Sequence, residues 1–177
     1  GLKKQLAALE NQGGGLAKLR EAEEKARAAY MAAAESLSKG RQRAIKFLEA
    51  AVRDELPPLK LEKARFSVQL EKLDEARWTD LGWDQVSFVV ATNPGAAPGP
   101  IQEVASGGEL ARFMLALTVV LAGGQAAETL IFDEVDSGIG GATATAVGER
   151  LKRLSEHFQM LVITHSPQVA AMADHHW

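Results

Sequence analysis

The sequence predicts an α/β lobe, a mixed or parallel sheet with flanking helices, carrying a long coiled-coil helix appended at its N-terminus. Three observations predict it. Residues 16–56 contain no proline and repeat apolar or small residues in alternating steps of four and three. Two short apolar runs, Thr129-Leu130-Ile131-Phe132 and Met160-Leu161-Val162-Ile163, each lead into polar, chemistry-bearing residues, as strands do at the carboxyl edge of an open α/β sheet. The charge is also divided: residues 1–60 hold 12 Lys/Arg against 8 Asp/Glu, residues 61–177 hold 8 against 15, so a net charge of −3 joins a basic, helix-forming part to an acidic remainder.

Length and composition bound the rest. With 177 residues, 46% of them hydrophobic, the chain has material for one ordinary domain plus an extended appendage. It contains no cysteine, so a disulfide framework or thiolate metal site is excluded. No apolar run reaches the roughly 18 residues that span a bilayer, and no signal-peptide pattern opens the chain. A soluble, intracellular protein without a membrane partner is expected.

Leu2, Leu6 and Leu9 share one helical face, and Gly13-Gly14-Gly15 is expected to break that first segment, because consecutive glycines cost helix stability and free the backbone to turn. A seam then follows through Ala26, Tyr30, Ala33, Leu37, Gly40, Ala44, Phe47 and Ala51. A helix of about 40 residues runs roughly 60 Å, and its coiled-coil partner helix must come from another chain or from sequence upstream. A second stripe, Ile45, Leu48, Val52 and Leu56, suggests docking onto a globular body, and Pro57-Pro58 ends the helix. The division expected is a helical coiled-coil arm over 1–56, broken at 13–15, and a lobe over 57–177. Lys39, Arg41, Arg43 and Lys46 crowd one interval of the arm; they suit phosphate contact, although a charge run on an exposed helix is usually a solvated face.

Ala64, Phe66, Val68 and Leu70 alternate with polar residues, and Val86, Phe88 and Val90 alternate with Ser87, Val89 and Ala91, which reads as an antiparallel pair of strands joined by a polar connection. Residues 93–100 hold three prolines and two glycines and read as a loop. Ser106 with Glu109 three residues on, ahead of Leu110, Phe113, Met114, Leu117 and Leu121, is a capping box opening an amphipathic helix. Its Gly107 and Gly108 would expose backbone N–H groups at a positive dipole end, which suits phosphate; an ordinary capped helix has the same pattern.

Asp133 and Glu134 end the first apolar run. Asp133 is placed to hold Mg²⁺, through water, because magnesium dehydrates reluctantly and takes one or two carboxylates plus phosphates. Glu134, on the other side of the strand, is placed to polarise a water. Taken alone, such a pair equally solvates a strand end. Val147, Leu151 and Leu154 mark a helix, and Met160–Ile163 a second strand, parallel to the first by the right-handed crossover rule, that ends at Thr164-His165-Ser166-Pro167. His165 therefore stands beside the acid pair, within reach of a γ-phosphate. His157, His175 and His176 have no comparable placement.

These residues together resemble a known family. Ser106-Gly107-Gly108-Glu109 is similar to the signature motif of ATP-binding-cassette ATPases, Leu130 to Glu134 to their Walker B strand, Val135-Asp136-Ser137-Gly138 to their D-loop and Thr164-His165 to their switch histidine. A glutamate closing the signature and a coiled coil feeding the head resemble the SMC-like branch. More narrowly, Ala64-Arg65-Phe66, Asn93-Pro94-Gly95, Pro100-Ile101, Val104 to Arg112, Phe132 to Gly138 and Thr164 to Ala170 resemble the bacterial RecN DNA double-strand-break repair proteins.

The resemblance implies the C-terminal lobe of an ABC-type ATPase head with part of a returning coiled coil, using ATP and Mg. Within it, Asp133 would organise Mg²⁺, Glu134 would position or deprotonate water, and His165 would hold the γ-phosphate. Ser106, Gly107, Gly108 and Glu109 would close over the nucleotide of an opposing head, and Asp136 would connect the two sites. Since no Gly-x-x-x-x-Gly-Lys-Ser/Thr occurs, the P-loop would come from an N-terminal half of the same head, and the chain alone is expected to be inactive. The implied partners are that half, a second head in an ATP-dependent homodimer, a coiled-coil helix and DNA, and the implied location is the cytoplasm, at the nucleoid. Two alternatives stand beside this reading: the nucleotide-binding domain of an ABC transporter, and a non-hydrolysing structural head.

Overall fold

The computed structural model describes residues 2–91, 93, 95, 97–101, 107–122 and 129–177, with side chains from Gly15 onward. The residues fall into two compact units, 1–43 with 71–85, and 44–70 with 86–177. The expected division at 56/57 differs from this because the end of the long helix and the stretch after it belong to the core of the second unit, while a later segment joins the first.

Helix α1 runs Leu2–Glu55. It passes through Gly13-Gly14-Gly15 without the expected break: each glycine costs about 1 kcal/mol against alanine, but Ala, Leu, Lys and Glu on both sides carry a cooperative helix across the gap. Within the first unit α1 is covered by its own chain. Residues 71–85, expected to be only a polar connection, dock on it. The Glu75 carboxylate accepts from Arg27 Nε at 2.9 Å and Nη2 at 2.7 Å. The Tyr30 ring stacks on Trp78 at 5.2 Å and its hydroxyl donates to the Thr79 carbonyl. Asp84 accepts from Ser38 Oγ and Arg41 Nη1, both at 3.0 Å, and Ala34 is buried. Of the seam positions in this unit, Tyr30 and Gly40 are half-buried while Ala26, Ala33 and Leu37 are exposed.

In the second unit, Val52 and Leu56 of the docking stripe are buried, with Ile45 and Leu48 packed against the same core. After α1, Leu61 N donates to Leu56 O at 3.1 Å and Lys60 N to Pro57 O at 3.0 Å, with Lys60 left-handed at φ 59°, ψ 37°. This is the glycine-type cap, made here by a lysine, of the short 3-10 turn Pro57–Leu59 that follows α1. Strands β1 (Arg65–Lys72), β2 (Asp84–Ala91) and β3 (Gly99–Pro100) form one sheet in the order β1-β2-β3, with β2 and β3 antiparallel. The expected loop at 93–100 thus ends in a short strand. Phe66 and Val68 of β1 enter the core, and Phe66 meets the rings of Phe88 and Phe113 at 5.6 Å each.

Helix α2 (Gly107–Leu121) buries Arg112, Phe113, Leu115, Ala116 and Leu117, while Met114 and Leu121, expected on its apolar face, are exposed. β4 (Thr129–Asp133) and β5 (Gln159–Ile163) are parallel neighbours paired from Thr129↔Gln159 to Asp133↔Ile163, as the crossover through α3 (Gly141–Ser155) predicts. Ala144, Val147, Gly148, Leu151 and Leu154 form the buried side of α3, and α4 (Pro167–Ala170) packs Val169 into the same core. Among the described residues the β4–β5 pair is covered on one face only. Leu130, Phe132, Met160 and Val162 pack inward, whereas Ile131 is 67% exposed and Leu161 and Ile163 share its open side. Among the described residues no helix is long and apolar enough to cross a membrane.

Candidate functional site

The parallel register sets Asp133 beside Ile163 at the carboxyl ends of β4 and β5, so the turns that follow, 134–138 and 164–166, lie together. Asp133 and Glu134 are both exposed, and Glu134 has φ 55°, a left-handed conformation rarely adopted by a residue with a side chain. The next acid is held inside. Asp136 is 1% exposed and its Oδ2 accepts from Thr164 Oγ1 at 2.6 Å and Ser166 N at 3.0 Å. Burial alone would raise the Asp136 pKa, but the Thr164 hydroxyl, its own backbone N–H, the neighbouring His165 and the Ser166 N–H together hold it below its ordinary value. Its other oxygen, Oδ1, is buried without a hydrogen-bond partner. The His165 side chain is 82% exposed, with Nδ1 3.8 Å from Asp136 Oδ2.

The turn is held from its other side by Arg112. This guanidinium, 5% exposed, donates Nη1 to Ser137 O at 3.0 Å and Nε to Leu59 O at 3.1 Å. Burial lowers its pKa and the charge of Glu109 partly restores it; an arginine remains charged there. Gly108 completes the fit, since a Cβ added to it would lie 3.0 Å from Ser137 Cβ, 3.1 Å from Ser137 O and 3.2 Å from Arg112 Nη1. Only a residue without a side chain lets α2 start this close to the turn.

The result is a recess of about 440 Å³ lined by Lys60, Gly107, Gly108, Glu109, Arg112, Glu134, Ser137 and Gly138. Of the residues singled out in the sequence, Gly107, Gly108, Glu109 and Glu134 line it. Asp136 lies beneath it, buried in the same turn, while Asp133 and His165 stand at the neighbouring strand ends. Ser106 lies outside the described residues.

No family model matches the chain. Relatives do. The chain is 47% identical over 160 residues to a DNA repair protein RecN of Rickettsia bellii, and 45% identical over 146 residues to that of Vibrio cholerae, covering 90% and 82% of this chain. It also superposes on the Smc head domain with an extended coiled coil of Pyrococcus furiosus, a structure bound to the C-terminal domain of ScpA, with a TM-score of 0.54 over 80% of this chain at 20% identity; 33% of that chain is covered. The Smc head with coiled coil and joint of Pyrococcus yayanosii gives 0.53 over 75% of this chain and 24% of its own, at 22% identity. The chain is of the RecN/SMC head type, with a coiled-coil helix appended.

It spans 29% of the length of the Rickettsia relative and 26% of the Vibrio one. The fold is the α/β head lobe of the Smc structures. Two residues of the recess carry no sequence signal of their own. Arg112 was visible only as the end of the resemblance to the signature segment, and Lys60 was not singled out at all. Neither burial nor a left-handed backbone can be read from a single basic residue.

Proposed function

We propose that the chain is the ATP-binding and hydrolysing C-terminal half of a RecN-like head acting in DNA double-strand-break repair. The observation that carries this reading is the recess. It joins the start of α2 to the acid turn after β4, segments some 25 residues apart that the family resemblance assigns to two adjoining nucleotide sites, that of an opposing head and that of the same head, with Asp136 between them. The donor set suits the ligand: two glycine amides at a helix start, two cations and a close-packed turn are the groups that take up phosphate.

In this reading, Asp133 is the carboxylate that holds magnesium, through water, at the end of β4. Bound magnesium would supply positive charge between the phosphates, which needs only one or two protein carboxylates. Glu134, exposed and held in a strained conformation at the recess, orients water and accepts its proton. His165 donates to the terminal phosphate. Gly107 and Gly108, with Ser106 and Glu109, close over the nucleotide of an opposing head. Asp136 keeps the turn between the two sites in place. Head engagement would order this interface while the terminal phosphate is present, and its loss would release it.

The open face of the β4–β5 pair suits the N-terminal half of the same head, carrying the P-loop, and the chain's share of its relatives' length leaves ample sequence to supply that half. The exposed positions Ala26, Ala33 and Leu37 suit a partner helix of the coiled coil. Identities above 40% to proteins named for DNA repair favour this reading over a transporter domain.

The test is ATP hydrolysis by the chain alone and after assembly with a P-loop-bearing N-terminal half, with Glu134→Gln as control. Hydrolysis only in the assembly, and an ATP-dependent dimer that accumulates with Glu134→Gln, is the expected result. An assembled wild-type head that binds ATP without turning it over would favour the structural-head alternative, and normal turnover by Glu134→Gln would remove that residue from its role.

A further inference from the structure

We propose that Lys60 is a phosphate-contacting residue of the recess, the uncommitted cation that meets the polyphosphate received by the start of α2; this deepens the head reading above and rests on it. Among the described residues only two other than glycine have a positive φ, Lys60 at 59° and Glu134 at 55°, and both line the same recess. Strained backbone of this kind is retained where the surroundings impose it, and it clusters at functional sites.

At Lys60 the strain has no structural need for a side chain. The residue caps the short 3-10 turn Pro57–Leu59 that follows α1 through its backbone, with its N–H on Pro57 O, while that of Leu61 goes to Leu56 O. Glycine fills such a cap without steric cost. The lysine side chain takes no part in these bonds, and among the described residues its ammonium has no hydrogen-bond or carboxylate partner.

The charges around the recess explain why a free cation is useful there. Glu109 and Glu134 bring negative charge to its wall. Arg112 offsets one of them, but its guanidinium is committed to Leu59 O and Ser137 O. A polyphosphate entering beside two carboxylates therefore needs a further positive group, and Lys60 is the remaining basic residue of the lining. An ammonium bonded to a phosphate oxygen is among the stronger hydrogen bonds available to a protein.

The experiment uses the full chain assembled with the P-loop-bearing half, in wild-type form and as Lys60→Gly, Lys60→Met and Lys60→Arg, measuring thermal melting of the chain and the ATP dependence of hydrolysis. Lys60→Gly should melt at the wild-type temperature or about 2–4 °C above it, because the left-handed strain is relieved. Its KM for ATP should nonetheless rise about tenfold or more, with kcat changed far less. Lys60→Met should show the same rise while keeping a side chain at the cap, and Lys60→Arg should stay within about threefold of wild type because the charge is retained.

Wild-type KM in Lys60→Gly and Lys60→Met would reduce Lys60 to a helix cap and overturn the proposal while leaving the head reading intact. Equal damage from Lys60→Arg and Lys60→Gly would overturn it as well, since charge would then not be what matters. A wild-type assembly that neither binds nor hydrolyses ATP would bring down the head reading, and this proposal with it.

Discussion

Replacing Asp136 by alanine removes the acceptor that joins the turn after β4 to the turn after β5. Two charge-assisted bonds are lost, a 2.6 Å bond from Thr164 Oγ1 and a 3.0 Å bond from Ser166 N. Each is worth about 1.5–3 kcal/mol, but the losses do not simply add, because Ser166 N also bonds Thr164 Oγ1 at 3.0 Å and keeps that partner. A net loss of about 2–4 kcal/mol follows, and at this chain length it lowers the melting temperature by roughly 10 °C. Asp136→Asn keeps an acceptor oxygen and should lose about half as much. The pH dependence has a definite sign. The folded pKa lies below the ordinary value of 3.8, so the charge contributes its stability fully above that value and loses it as pH falls through the folded pKa. The gap between wild type and Asp136→Asn, measured by thermal melts from pH 7 downward, should stay constant to about pH 4 and then narrow. Thr164→Val closes a double-mutant cycle, in which a coupling of at least about 0.5 kcal/mol is expected. If Asp136→Ala melts within a degree of wild type, or if the cycle shows no coupling, the two turns are not held together by this carboxylate.

Further outcomes follow from contacts elsewhere. Gly148→Ala should destabilise by up to about 2 kcal/mol despite the helix propensity of alanine, because the new Cβ would meet Met172 Cγ at 2.9 Å, Gln168 O at 3.3 Å and Val169 Cα at 3.4 Å; a raised melting temperature would mean that 168–172 yields freely. Glu55 joins the end of α1 to α3 through Arg150 Nε at 2.7 Å and Arg153 Nη2 at 2.8 Å. Burial tends to raise its pKa, but the two guanidinium groups outweigh that and lower it. Glu55→Gln should therefore cost about 1–2 kcal/mol near neutral pH, with the difference from wild type shrinking in acid as the native carboxylate is protonated; chemical denaturation at pH 7 and pH 3 reads both effects. Tyr30→Ala removes the stack on Trp78 and the bond to Thr79 O. Tryptophan emission should shift to the red and trypsin should cut faster after Lys72 and Arg77; unchanged cleavage would show that residues 71–85 are held on α1 by the Arg27 and Arg41 contacts alone.

Much of the architecture was legible because it rests on periodicity. The stripe Ile45, Leu48, Val52 and Leu56, the alternation around Phe66 and Val68, and the paired runs that become β4 and β5 are direct records of which side chains leave water. What was not legible depends on partners distant in sequence. Residues 71–85 read as polar because their ordered groups, Glu75 and Asp84, are satisfied by Arg27, Ser38 and Arg41 some 43–48 positions away. Arg112 read only as the last residue of the signature-like segment, yet it is buried, because two backbone carbonyls from separate turns accept from it. The three glycines read as a break because propensity is local, whereas helix propagation is cooperative. The site motifs were found through their order along the chain; that Gly108 and Ser137 touch is a tertiary fact that no spacing states.

The exposure of Ile131, Leu161 and Ile163 has a physical meaning beyond the strands that carry it. A strand buried on both faces and a strand buried on one differ in what they demand of sequence: the first tolerates an unbroken apolar run, the second favours alternation. β4 and β5 have unbroken runs, Leu130-Ile131-Phe132 and Met160-Leu161-Val162-Ile163, but only one covered face among the described residues. Isolated exposed hydrophobics are ordinary on a protein surface, yet these three lie together on one side of a paired sheet and adjoin the strand ends that bear Asp133 and His165. In the reading proposed above, a P-loop-bearing half docked on this face would lie directly beside the candidate site, so that burial of these side chains and delivery of a phosphate-binding loop to Asp133 would be a single event.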